Sequence, residues 1–179
     1  MSLGQGMFRY KQFDIKSEVQ FNVIKKLIDN DLSEPYSIYV YRYFLNQWPS
    51  LAYLAYDPAA DEENAEPIGC IVCKAETHLN VRQRGYIAML AVNNGYRGRG
   101  IAKKLVTLAI EEMIRQGCDE IMLETECSNE VALHLYESMG FLRLKRMFRY
   151  YLNQGDAFKL ILPINKKSCI RSTFLGTQI

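Results

Sequence analysis

The stretch Tyr86-Ile-Ala-Met-Leu-Ala-Val92-Asn-Asn-Gly-Tyr-Arg97-Gly-Arg-Gly100-Ile-Ala102-Lys-Lys-Leu105 decides the fold, because three kinds of local pattern follow one another in it. Tyr86 to Val92 is an almost continuous apolar run, as expected of a central strand covered on both faces. From Ile101 to Gln116 the pattern is helical. Ile101, Leu105, Leu108, Ala109 and Met113, joined by Ala102, Val106 and Ile110, line one broad apolar face, and Gly117 supplies the stop. Between them, Asn93 to Gly100 is a glycine-rich break. A helix that starts after such a break offers unpaired backbone N–H groups and about half a positive charge. Gly98 and Gly100 let those groups approach an anion with no Cβ in the way. Arg97 and Arg99 add cations. Lys103 and Lys104, in the first turn, oppose the helix dipole, an arrangement that makes sense when an anion offsets it. The loop therefore reads as a phosphate cradle. It is not a Walker A loop, because Ile101 and Ala102 follow Gly100 where Lys and Ser or Thr belong. Nor is it a dinucleotide fingerprint, because Lys103 stands where the third glycine belongs.

Outward from this unit the chain reads as one domain with a mixed sheet. Ser17-Glu-Val-Gln20 has the form of a capping box, and Phe21, Ile24, Leu27 and Ile28 follow at helical spacing, predicting a first helix to about Asn30. A loop with Pro35 leads to a short helix over about 38–46. Strands are expected over 51–56 and 68–76, around the acidic loop 57–67, and again over 120–126. A helix over about 130–139 ends at Gly140. A hairpin of 142–151 and 157–162 closes around Asn153-Gln-Gly-Asp156. The order α-α-β-β-β-α-β-α-β-β predicts an α/β fold, a mixed sheet flanked by helices. The domain is expected to span 7–164, with 165–179 as a C-terminal tail lacking a clear core pattern.

Composition narrows the classes. With 179 residues, 49% hydrophobic and 23% charged, the chain has the make-up of an ordinary globular domain. No apolar run reaches the roughly 18–20 residues of a membrane span. The first six residues lack the basic-then-apolar form of a secretory signal. A net charge of +2 is too small to argue for nucleic acid. Five cysteines without a regular framework favour a reducing compartment. Cys70 and Cys73 lie within a strand and point to opposite faces, so they are no metal pair, and no second cysteine pair has zinc spacing. Only His78 and His134 are present, which makes a Ser-His-Asp triad improbable. Cys118 and Cys127 read as small core residues. The tyrosines crowd at 36–43 and at 150–151, which fits either a binding groove or plain packing.

Arg97-Gly-Arg-Gly100-Ile-Ala102 matches the R-x-x-G-x-A pyrophosphate loop of the GNAT acetyltransferases, and the order of elements resembles that fold. More narrowly, the chain resembles the catalytic subunits of NatC, N-terminal acetyltransferases of the eukaryotic cytosol. The segments that carry this are Asp31-Leu-Ser-Glu-Pro-Tyr36, Tyr39-Val-Tyr-Arg-Tyr-Phe-Leu-Asn-Gln-Trp48, Arg84-Gly-Tyr-Ile87, Met122-Leu-Glu-Thr-Glu126 and Arg146-Met-Phe-Arg-Tyr-Tyr151. The resemblance spans about 10–174. It implies acetyl-CoA as cosubstrate, its pantetheine arm along Leu90, Ala91 and Val92 and its diphosphate on Arg97, Gly98, Arg99, Gly100, Ile101 and Ala102.

Acetyl transfer from a thioester to an amine needs a base for the amine and an acid for the leaving thiolate. Glu124 alternates with Leu123 and Thr125 and shares a face with Met122. A carboxylate among apolar side chains makes a better base, whereas an outward charge on an edge strand would be inert. The pattern alone leaves these two readings equal. The NatC resemblance favours the first, since this position matches that family's catalytic glutamate. Tyr136 shares a helix face with Ala132, Leu135 and Met139 and by pattern would simply pack; the resemblance implies that it gives a proton to the CoA sulfur. Asn129 is placed to cap this helix, and by resemblance to bond the CoA arm.

The resemblance further implies a peptide groove between the loop Leu32-Ser-Glu34-Pro35-Tyr36 and the late hairpin at Tyr150 and Tyr151. Leu32, Tyr36 and Tyr86 would take the first side chain, and Glu34 would meet the first peptide residues. The expected acceptors are nascent polypeptide N-termini beginning with Met and a bulky apolar residue. The expected partners are a large and a small auxiliary subunit and, through the complex, the ribosome, in the cytoplasm, with no role for membrane or nucleic acid. The tail 165–179, with Lys166, Lys167 and Arg171, is assigned to the auxiliary contact. Two other readings stay open: a GNAT enzyme for lysine side chains or small amines, and a non-enzymatic CoA-binding module.

Overall fold

The structure, a computed structural model, describes residues 7–32 and 35–169. The strands are β1 (Arg9–Gln12), β2 (Ala52–Tyr56), β3 (Gly69–His78), β4 (Arg82–Val92), β5 (Glu120–Glu126), β6 (Leu142–Met147) and β7 (Ala157–Pro163). The helices are α1 (Glu18–Asp31), α2 (Ile38–Gln47), α3 (Ile101–Arg115), α4 (Glu130–Ser138) and the short α5 (Lys166–Cys169). Single 3-10 turns fill Pro49–Leu51 and Asn94–Tyr96. The strands hydrogen-bond in the order β1-β2-β3-β4-β5-β7-β6. β4 and β5 run parallel, while β1–β2, β2–β3, β5–β7 and β6–β7 are antiparallel. This is the α/β mixed sheet that the element order predicts.

The chain divides into two compact units. One holds the described residues up to 74 together with 88–112, the other 75–87 and the described residues from 113 onward. In the first, the α1 stripe Phe21, Ile24, Leu27 and Ile28 is buried as its periodicity requires. It packs with Tyr41 and Leu45 of α2 and with Leu54, Cys70, Val72, Met89 and Ala91 of the strands. The Ser17 hydroxyl accepts from the Gln20 N–H at 3.2 Å, as the capping box predicts. The reciprocal arm differs. Ser17 N–H already donates to the Asp14 carbonyl, so the Gln20 amide oxygen accepts from Asp14 N–H instead, at 2.9 Å. β1 went unread in the sequence because Arg9-Tyr-Lys-Gln12 has no apolar alternation. It exists as an edge strand through its ladder with β2, from Arg9↔Tyr56 to Gln12↔Tyr53.

β4 corrects a second expectation. It is not buried on both faces: Gly85, Ile87, Met89 and Ala91 are buried, whereas Tyr86, Ala88 and Leu90 on the alternate face are only half-buried. The apolar run is continuous in sequence, but one face of the strand is left partly open.

In the second unit β5 is the spine. Its register with β7 runs without a break from Glu120↔Pro163 to Glu126↔Ala157. On its other edge the pairing with β4 covers only Arg84↔Glu120, Gly85↔Ile121 and Tyr86↔Met122. The late hairpin is shorter in strand and longer in loop than predicted, so Tyr150 and Tyr151 lie in the turn 148–156 and not on a strand. Asp156 explains this. It accepts from Arg149 N–H at 2.9 Å and pairs with Arg146 at 2.7 Å, while Arg149 and Gln154 take positive φ, so the chain curls around the carboxylate. The first residues after β7 are docked as well. Asn165 donates to Asp119 at 2.6 Å, Lys167 lies 3.6 Å from the same carboxylate, and Ser168 is fully buried. Residues 170–179, including Arg171, lie outside the described residues.

Candidate active site

The loop between β4 and α3 turns on two glycines with open space above them. Gly98 and Gly100 adopt φ of +74° and +79°, which L side chains rarely adopt, and a Cβ built at either meets nothing within 4 Å. The glycines are there for the backbone turn and for open space above it. Among the described residues none accepts from the N–H groups of Gly98, Arg99 or Gly100, which leaves these donors available ahead of α3. Arg97 has partners within the first unit. Its Nε donates to the Val92 carbonyl at 3.0 Å and its Nη2 pairs with Asp31, the last residue of α1, at 2.8 Å. These contacts fasten the end of α1 to the end of β4, and the side chain stays half-exposed. Arg99 lies over the Tyr96 ring, 5.4 Å from its centre. Ile101 is buried and Ala102 half-buried at the helix start, and Leu90, Ala91 and Val92 precede the loop on β4.

Glu124 also departs from expectation. Its surroundings are not simply apolar. The Tyr86 hydroxyl donates to its Oε2 at 2.5 Å, and the Lys159 ammonium lies 3.9 Å from its Oε1. The carboxylate is 13% exposed. Register explains the group. Glu124 stands directly opposite Lys159 on β7, and Tyr86 stands opposite Met122, the residue two before Glu124 on the same face of β5. Tyr86, expected only to line a pocket, is thus a partner of the candidate base. Lys159 was missed; its one sequence signal is a cation at a mid-strand position between Phe158 and Leu160. On the same face Glu120 is fully buried against Arg84, 2.8 Å away.

Tyr136 is 5% exposed and packs edge-to-face on Phe141, ring centres 5.4 Å apart. Its buried companion on α4 is Leu133, while Ala132, Leu135 and Met139 are only half-buried. Asn129 caps α4 as expected, its Oδ1 accepting from Ala132 N–H at 3.1 Å.

Among the acceptor-side residues, Leu32 packs partly on the first unit's core, Pro35 is exposed, and Tyr36 is half-exposed and edge-on to Tyr41, which donates to Asp29 at 2.5 Å. Glu34 lies outside the described residues. In the second unit Tyr150 and Tyr151 meet edge-to-face at 5.1 Å. The α2 aromatics Tyr43 and Phe44 pack around Trp48, with Lys74 near all three rings, so this part of the aromatic crowd serves packing.

Burial pushes the Cys70 thiol up to about 12 and the Cys118 thiol up to about 11, and Cys73 is raised further by the same cause, so these three are poor nucleophiles. Cys127, read as a core residue, is only half-buried. No cluster of metal-ligating side chains occurs among the described residues.

Residues 21–141 match the pattern of the Acetyltransferase (GNAT) family. Over 166 residues, 93% of this chain and 94% of the relative, the sequence is 70% identical to N-alpha-acetyltransferase 30 of Saccharomyces cerevisiae. It is 51% identical to the human protein of that name over 154 residues, 86% of this chain but 40% of that longer relative. The fold superposes with TM-score 0.86 and 68% identity on a chain of a crystal structure described as the NatC complex bound to Gag peptide and CoA, covering 89% of this chain and 100% of that one. With the glycine cradle before α3 and the carboxylate on β5 already in place, these likenesses make the chain a member of the GNAT acetyltransferase family and, within it, of the N-alpha-acetyltransferase 30 group of NatC catalytic subunits.

Proposed function

We propose that this N-alpha-acetyltransferase moves acetyl from acetyl-CoA directly to polypeptide N-termini that begin with Met followed by a bulky apolar residue. The observation that carries the chemistry is the Glu124 carboxylate, held at 2.5 Å by the Tyr86 hydroxyl on a half-open strand face. An N-terminal α-amine has a pKa of about 7.7–8.0 and is largely protonated at neutral pH. Glu124 takes one proton from the ammonium, the freed nitrogen attacks the thioester carbonyl, and the C–S bond breaks as the nitrogen sheds a second proton; Tyr136 gives its proton to the leaving sulfur and is restored by that second proton. The N–H groups of the Gly98–Gly100 turn, which have no acceptor among the described residues, hold the diphosphate, and Asn129 keeps α4, with Tyr136, in place. The raised thiols of Cys70, Cys73 and Cys118 support direct transfer without an acyl-cysteine.

Likeness to the NatC catalytic subunits assigns the acceptor side to Leu32, Glu34, Pro35 and Tyr36 in the first half of the chain and to Tyr86, Tyr150 and Tyr151 of the second unit, whose rings offer apolar surface to the first side chains. The partners proposed are the auxiliary subunits implied by likeness to the NatC complex and, through them, the ribosome in the cytoplasm. The exposed Lys166 and the chain beyond it are assigned to that contact. The test is competition between a Met-Leu and a Ser-Glu peptide, with and without auxiliary subunits. Burying one large apolar side chain, worth about 1.5–3 kcal/mol, should favour Met-Leu by about tenfold to a hundredfold. Preference for Ser-Glu in both settings rejects the selectivity.

A further inference from the structure

Lys159 has no role in the account above, yet its position is unusual. β7 is an inner strand, flanked by β5 and β6, and lysine is depleted from such strands. Its neighbours on the same face, Ala157 and Ile161, are both fully buried. The Lys159 side chain is itself 31% exposed, and a cation set between two buried apolar residues gains from a partner of opposite charge. The register provides one on one side only. Lys159 faces Glu124 across β5–β7, while across β6–β7 it faces another cation, Lys145. Like charges directly opposite repel, so the ammonium is driven toward β5, where it lies 3.9 Å from Glu124 Oε1. The Tyr86 hydroxyl holds the other oxygen, Oε2. Each carboxylate oxygen thus has its own partner, one from the strand on either side.

We propose that Lys159 is a positioning residue: together with Tyr86 it sets the plane of the Glu124 carboxylate, so that one lone pair stays aimed at the acceptor amine. This rests on Glu124 being the base. A carboxylate with one oxygen held rotates about its terminal torsion, which is broad. With one oxygen hydrogen-bonded and an ammonium 3.9 Å from the other, one orientation is favoured, and the geometry needed for proton transfer is prepared before the peptide arrives.

The test compares Lys159→Met, Lys159→Arg, Glu124→Gln and the Lys159→Met/Glu124→Gln double variant, with Tm and CoA affinity as controls. Glu124→Gln should lose about 10²–10⁴-fold in kcat. Lys159→Met should lose about tenfold in kcat with CoA affinity and peptide KM nearly unchanged, below the loss typical of removing a base. Lys159→Arg should recover most of it, and Lys159→Met should cost nothing further in the Glu124→Gln background. An unchanged kcat in Lys159→Met, a loss that Arg does not restore, or a loss that persists in full without Glu124 overturns the proposal. Full activity in Glu124→Gln instead overturns the base assignment beneath it.

Discussion

At Gly100 the backbone turns with φ of +79° and nothing stands within 4 Å of the place a Cβ would take. A β-branched side chain there is penalised twice, by the left-handed torsion and by filling space that an anion needs. Gly100→Val should therefore lower CoA affinity by about tenfold or more, since about 1.4 kcal/mol suffices for that and αL strain alone costs about 1–3 kcal/mol. Calorimetric titration with CoA checks it, and unchanged affinity would remove the cradle from the site. At this scale the sequence was readable in part. The glycines and Asn129 were legible because a turn and a cap each demand a particular residue type. Glu124 was legible as a candidate by its type and strand position. Its partners were not, since Tyr86 and Lys159 lie 38 and 35 positions away and meet it only through strand pairing. The partners of Arg97, Val92 and Asp31, were not legible, because its motif fixes where the residue is and not where the guanidinium points.

Among the elements, the contact of β4 with α3 and β5 has the least slack. At Gly85 an added Cβ would stand 2.4 Å from Met113 Sδ and 3.2 Å from Ile121 Cγ1. Gly85→Ala should destabilise the fold by about 1–3 kcal/mol, the usual cost of overpacking, read as a drop in the denaturant midpoint. Tyr86 follows directly, so the same variant should also lower kcat by shifting the donor to Glu124. Elements with a strong period were legible: α1, α3 and α4 lie where their apolar stripes place them, and β5 runs from Glu120 to Glu126 as expected. β1 and α5 were not, because an exposed edge strand and a one-turn helix leave no periodic trace. The half-open face of β4 was hidden too, since Tyr86, Ala88 and Leu90 are as apolar as the residues they alternate with.

Over the length of the chain, long-range ties converge on a few acidic groups. Asp119 accepts from Asn165 and from Gln83 N–H at 2.8 Å and lies near Lys167, joining the β4 strand, the start of β5 and the segment after β7. Those hydrogen bonds, with Asn165 foremost, hold its carboxyl below the usual carboxylate range. A carboxylate with a depressed folded pKa stabilises fully above the unfolded value, about 3.9, and the contribution disappears as pH falls through the folded value. The Tm of the wild type should exceed that of Asp119→Asn by a constant margin near neutrality, and the margin should close only in acid, below about pH 4. A margin that closes between pH 5 and 7 would assign the effect to another group. The link between Arg97 and Asp31 is a second such tie, and it bears on how this chain can drift. The first letter of the R-x-x-G-x-A pattern is tied to a carboxylate 66 positions upstream. In descent the two are a coupled character: losing the donor at 97 strips Asp31 of this partner, and the reverse. Gly98 and Gly100 have no such correspondent among the described residues. What binds them is the left-handed turn of their own backbone, and no change elsewhere could excuse a side chain there.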